Sequence, residues 1–239
     1  MLRVPGGRLF SSFSAVRREG ISSSIVALTG LAFEARVARC PTIVFDGIRT
    51  PALLQQAIAA GARGIISFGV CGALSPQLSA GQWVVASSVF AGEDQLTTHD
   101  GWFRQLVAAL PGCNTGPIVG MGRPPMSSIE RSELHSRTGA IAVDMESHVA
   151  ARTAAAHGLP FASCRVVVNA AHRRLPPAAL LDFGPGGSID LSAVFWSMLK
   201  EPCQVPDLFR LAIDALLAFS ALRKGRTLLG PALSFAEFS

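Results

Sequence analysis

Apolar residues along this chain fall into short blocks separated by glycine, proline and polar turns. Ser24-Ile25-Val26-Ala27-Leu28-Thr29, ending at Gly30, predicts a first strand, and Leu31 to Ala38 a helix behind it. Thr50-Pro51 is a cap and first-turn signal, which predicts a helix over Ala52 to Ala60 stopped by Gly61. Gly64-Ile65-Ile66-Ser67-Phe68 reads as a buried strand that breaks into a glycine loop, Gly69-Val70-Cys71-Gly72. A second strand then begins at Trp83-Val84-Val85-Ala86. Gly116 to Gly120, Ala140 to Val143 and Phe161 to Val168 predict further strands. Phe103 to Leu110 predicts a helix, as does Glu146 to His157, closed by Gly158. Ala91 to Trp102 is polar and acidic, the composition of a loop over a site, and Arg123-Pro124-Pro125 forces a turn. Leu191 to Leu199 and Asp207 to Leu222 read as two apolar helices parted by Pro202 and Pro206, the second with Leu208, Leu211, Ala212, Ala215 and Leu216 at helical period. Alternating strands and helices predict an α/β fold: a central twisted mixed sheet flanked by helices, in three layers.

The 239 residues suit one large domain, read here as residues 25–239. Residues 1–24 carry several arginines and serines with Glu19 as the one acid, and read as a mobile N-terminal extension. The chain is 49% hydrophobic and 15% charged, with mean hydropathy +0.40. Yet no run reaches the roughly 18 uninterrupted apolar residues of a spanning helix. Without a secretory apolar region either, the cytoplasm is the expected compartment. The net charge of +5 comes mostly from arginine, because Lys200 and Lys224 are the only lysines. Those cations are scattered among acids, which argues against a nucleic-acid footprint. Cys40, Cys71, Cys113, Cys164 and Cys203 are odd in number and widely spaced, giving neither a disulfide framework nor a zinc pattern. The five histidines lack ligand spacing too, so no metal is expected. Cys71 in the glycine run reads as a small buried thiol or, alternatively, as a nucleophile.

The glycine run could be a tight turn between strands or a ligand-binding turn, in which Gly69, Val70, Cys71 and Gly72 bring backbone N–H groups close to a sugar or an anion. Two later segments bear on the choice: Ala140-Ile141-Ala142-Val143-Asp144-Met145-Glu146-Ser147-His148, and Leu159-Pro160-Phe161-Ala162-Ser163-Cys164-Arg165-Val166-Val167-Val168-Asn169. With the glycine run, in this order, they resemble the nucleoside phosphorylase and nucleosidase superfamily over about Ile25 to Lys224. Leu175 to Leu181 and the stretch from Ile189 to Lys224 resemble the branch associated with hopanoid biosynthesis.

That resemblance implies cleavage of a purine nucleoside with no cofactor, phosphate being a possible co-substrate. It places Glu146 on the ribose 2′ and 3′ hydroxyls, with Gly30, Val143, Asp144 and Met145 around the sugar. A carboxylate is an acceptor and vicinal hydroxyls are donors, so the chemistry agrees. Asp144 and Glu146 could instead simply cap a helix. Where phosphorylases hold phosphate with an arginine and a serine, this chain has Glu34 and Val70. Both changes oppose phosphate and favour water, with Glu34 as general base; as an alternative, Glu34 is an ordinary exposed helix acid. Arg36 or Arg165 could still supply a cation for phosphate.

The position from which the family protonates the departing base is Asn169, an amide with no proton to transfer. His172 is a substitute donor or a surface histidine. Pro124 stands where nucleosidases stack an aromatic ring. The hopanoid branch implies adenosylhopane cut to adenine and ribosylhopane, or to phosphoribosylhopane. Phe195, Trp196, Met198 and Leu199 would then line a greasy channel, touch the inner membrane peripherally, or only pack the core. The rivals are a methylthioadenosine or adenosylhomocysteine nucleosidase and a nucleoside-binding protein that has lost its chemistry. The resemblance also implies a homo-oligomer.

Overall fold

The computed structural model describes residues 25–171 and 205–236. The predicted helix over Leu191 to Leu199, His172 and the N-terminal extension lie outside them. Along the chain run β1 (Ile25–Thr29), α1 (Ala32–Ala38), β2 (Thr42–Val44), α2 (Thr50–Ala59), β3 (Gly64–Ala73), β4 (Trp83–Ala91), β5 (Asp94–Thr97), α3 (Asp100–Ala109), β6 (Asn114–Gly120), α4 (Ser128–Thr138), β7 (Ala142–Asp144), α5 (Ser147–Ala156), β8 (Phe161–Asn169) and α6 (Val205–Leu228).

Side-chain alternation sorts the strands between two cores. Val26, Leu28 and Ile65 face one way and pack with Leu54 of α2 and Ala150, Ala151 and Ala154 of α5. Ile25, Ala27, Ile66 and Phe68 face the other, against Val37 of α1, Trp102 and Leu106 of α3, and Ala218 and Leu222 of α6. A period-2 strand buried on both faces makes three layers, as the sequence predicted. Arg226 anchors α6 by donating to the carbonyls of Ala38, Gly230 and Pro231. Among the described residues no helix is long and apolar enough to cross a membrane.

The sheet is mixed, ordered β2-β1-β3-β7-β6-β4-β5, and β8 bridges β3 and β4. Strands β3, β7, β6, β4 and β8 therefore close on themselves as a distorted barrel. At its rim, Gly72 of β3 pairs with Val143 of β7 on one side and with Asn169 of β8 on the other. Three strand ends thus converge on one residue.

Four elements differ from the sequence reading. The glycine run is not a loop: β3 continues through it to Ala73, with a register shift between Cys71 and Gly72. Pairing with β8 on one side outweighs the weak strand preference of two glycines. The polar stretch after Ala91 forms the β4–β5 hairpin and the start of α3. Strand β2 is too short to announce itself in an apolar pattern. Helix α4 carries no apolar period, but its end signals are in the sequence: Ser127 caps the Glu130 N–H at 3.1 Å, and Gly139 closes the helix at φ 67°.

Candidate functional site

Helix α1 begins just after Gly30-Leu31, and its Glu34 turns inward, 1% exposed. Its Oε2 accepts from the backbone N–H of Gly30 at 2.8 Å and of Leu31 at 2.9 Å, and its Oε1 from that of Val70 at 2.7 Å. The exposed-helix-acid alternative is thereby removed. Gly69 is required by this contact: a Cβ there would lie 2.5–2.6 Å from the Glu34 carboxyl, and its φ of +150° disfavours side chains. Gly30 plays the same part for Glu146, whose Oε1 would be 2.5 Å from a Cβ. The two glycines let two carboxylates press against backbone.

Arg165 of β8, 1% exposed, ion-pairs with Glu146 and Asp144 and acts on Glu34 at longer range. Its Nη2 lies 3.0 Å from Glu146 Oε2 and its Nε 2.9 Å from Asp144 Oδ2. The Nε contact is an ion pair without hydrogen-bond alignment. Arg165 also donates to Ser67 Oγ and, at 3.4 Å, to the Val70 carbonyl. Asp144 in turn accepts from the N–H of Ser147 at 2.9 Å and of Glu146 at 3.3 Å, as the capping alternative has it, whereas Glu146, the N-cap residue of α5, makes no side-chain cap bond. Ser147 Oγ bonds Asp144 and lies 2.9 Å from Ser67 Oγ and 3.1 Å from Ser163 Oγ. Asp144 therefore has both oxygens engaged within the protein.

Three carboxyl groups surround one buried guanidinium, more acids than one cation balances. Burial pushes the Glu34 carboxyl above its ordinary value, against the opposing pull of Arg165 and three backbone N–H groups. Burial likewise raises Glu146, to about 8, with Arg165 opposing and Asp144 and Glu34 adding to the rise. Burial by itself would lower Arg165, but the neighbouring Asp144, Glu146 and Glu34 hold it above its ordinary value.

The other sequence candidates fall around this centre. Val70 contributes its backbone, while its side chain is half-buried in the apolar core. Cys71 is buried and its thiol is pushed up, first by burial and then by Asp144, which disfavours the thiolate a nucleophile needs. Val143 is buried in β7, and Met145 is half-buried between Asp144 and Glu146. Asn169 ends β8, 3% exposed, with Nδ2 unpartnered. Of the two arginines considered for phosphate, Arg36 is exposed and Arg165 is already engaged by acids.

The sequence reading missed Ser67, Ser147 and Ser163, which look like fillers in apolar runs until tertiary packing gathers them. It also missed Arg131 of α4, a guanidinium 1% exposed. Its Nη1 donates to the Ala170 carbonyl at 3.2 Å, and its Nε has no partner. The capping signal at Ser127 could have located its helix, but nothing local shows that it turns inward.

Comparison with known proteins fits this geometry. A futalosine hydrolase of Helicobacter pylori superposes with TM-score 0.57 at 17% identity, covering 74% of this chain and 97% of its own. The 5′-methylthioadenosine/S-adenosyl homocysteine nucleosidase (MTAN) of Helicobacter pylori gives TM-score 0.61 at 14% identity, covering 87% and 97%. The nucleosidase of the same name from Campylobacter jejuni gives 0.56 at 13% identity, covering 84% and 98%. No curated protein matches the chain significantly. At these identities the structures establish a shared fold, while residues 26–200 match the family directly: this chain belongs to the phosphorylase superfamily.

Proposed function

We propose that this protein cleaves the N-glycosidic bond of a purine nucleoside, with water as acceptor. The observation that carries the reading is the ion pairing of Asp144 and Glu146 to Arg165, with the buried Glu34 close enough to act electrostatically on the same guanidinium. As the bond to the base stretches, positive charge grows on the ribose, and preorganised carboxylates stabilise that state more than the ground state. Glu146 is the acceptor for the ribose hydroxyls, pressed against Gly30. Glu34 takes a proton from the attacking water, its orientation fixed by Gly30, Leu31 and Val70. Phosphate is disfavoured because the acids outnumber the cation and Val70 offers no side-chain donor. The structural neighbours named as nucleosidases and a hydrolase support the same class.

The finer reading is adenosylhopane cut to adenine and ribosylhopane. It is supported by the resemblance of Leu175 to Leu181 and by the apolar exterior of α6, where Phe209, Ile213, Leu216 and Leu217 are exposed. Methylthioadenosine is the second substrate reading, favoured by the names of the MTAN neighbours.

The test is mass spectrometry of products from adenosylhopane, from a soluble 5′-alkyl adenosine and from methylthioadenosine, with and without phosphate. Adenine and a free ribosyl product without phosphate are expected; a phosphoribosyl product made only with phosphate would overturn the water reading. Glu34→Gln should lower turnover roughly 10²- to 10⁴-fold with binding retained. Unchanged turnover in that variant would remove Glu34 as the base.

A further inference from the structure

We propose that Arg131 and Asn169 present N–H donors that receive the departing purine as an anion, replacing the proton transfer an amide is unable to make; this rests on the N-glycosidase reading. Asn169 pairs with Gly72 across β8 and β3, and a Cβ on Gly72 would lie 3.9 Å from Arg131 Nη1. The guanidinium also bonds Ala170, the residue after Asn169. Both side chains are buried, and each keeps an N–H donor without a partner: Nε of Arg131 and Nδ2 of Asn169.

An unsatisfied buried donor costs about 1–3 kcal/mol, so two around one glycine mark a place where an acceptor is to arrive. No ion pair forms with Arg131 among the described residues. Its neighbour Glu130 is turned to Arg123 at 2.7 Å and to the Met126 N–H at 2.8 Å. The charge of Arg131 is therefore available to a ligand.

The position along β3 gives these donors their role. Gly69 faces Glu34, and Gly72, three residues on, faces Arg131; at a strand's rise the two stand roughly 10 Å apart. Heterolysis sends the C1′–N9 electron pair to the purine ring. The water oxygen bonds to C1′, and its proton goes to Glu34. The purine, now an anion, is held by N–H donors of Arg131 and Asn169 and takes up a proton afterwards. The substrate class this favours is ribosides of purines whose ring nitrogen is the more acidic, because no proton arrives to help a poor leaving group.

Wild type, Arg131→Met and Arg131→Lys are compared on 5′-methylthioribosides of adenine, hypoxanthine and p-nitrophenol. Arg131→Met should slow the adenine riboside more than the nitrophenyl riboside by roughly tenfold or more, the loss expected for a hydrogen bond to a charged group. Arg131→Lys should fall between. Equal slowing of all three would mean a merely structural arginine and would overturn the proposal. Equilibrium dialysis at mildly alkaline pH, where xanthine is an anion and hypoxanthine neutral, gives a readout independent of turnover. Wild type should favour xanthine and Arg131→Met should lose that preference; a wild type without it overturns the proposal. Failure to cleave any riboside, with the preference for xanthine intact, would instead count against the N-glycosidase reading alone.

Discussion

The two ends of the site are built on opposite electrostatic plans. Around Gly30 and Gly69, three carboxylates crowd one guanidinium; around Gly72, a guanidinium and an amide stand with no carboxylate paired to them among the described residues. Glycine serves both ends by leaving space, for acceptors in one case and donors in the other. At the first end the protein's own groups nearly satisfy one another, through Arg165, three backbone N–H groups and a knot of serine hydroxyls. At the second they do not. The self-satisfied end is suited to hold a developing cation rigidly, and the unsatisfied end to meet an arriving negative charge.

Removing Arg165 should break this contrast most severely. Arg165→Met leaves Glu34, Asp144 and Glu146 buried without a counter-charge, and breaking a buried pair from one side costs about 3–5 kcal/mol. Chemical denaturation should show that loss, together with loss of turnover. A variant as stable as wild type would show that the acids are neutral and the arginine dispensable.

Asn169→Asp should invert the donor end. A carboxyl there has a proton to give in its protonated form, which burial favours and Arg131 opposes, so adenine release should rise towards acid pH, by up to roughly 10²-fold. Turnover assays on the adenine and nitrophenyl ribosides would show the rise mainly for adenine. No rise would mean that proton supply does not limit this protein.

The smallest effect concerns pH. Glu146, raised from an ordinary 4.5 to about 8, binds its proton more tightly in the folded chain than in the unfolded one. Its contribution to stability is fully present below 4.5, declines as pH rises and is gone above about 8. Grip on ribose hydroxyls needs the ionised form, so kcat/KM should rise across the interval in which stability falls. Thermal melts and pH–rate profiles over the same range check the opposition, and Glu146→Gln should flatten it.

How far the sequence foretold this site depends on the range of the signal. The α/β alternation, the buried strands at β1, β3 and β8 and the helices flanking them follow from local periodicity and from glycine and proline stops. Glu34, Glu146 and Asn169 were picked out by counting along motifs that resemble the superfamily, and no local pattern by itself separates them from a helix acid, a helix cap and a strand-end amide. Gly69 to Gly72 was misread as a loop, since glycine weakens a strand locally and only pairing with β8 restores it.

What the sequence by itself determined, then, is the set of elements and the chemistry available: many arginines, few lysines, an asparagine at the end of β8 and two acids at the start of α5. What only the tertiary structure decided is which charges share a dry space. Closure of β3, β7, β6, β4 and β8 into a ring brings Arg165 to Ser67, 98 positions away, and folds α4 so that Arg131 reaches Ala170. The physical reason is that strand pairing and apolar packing fix backbone positions first, and a charged side chain then takes its ionic state from neighbours that no local window of sequence contains.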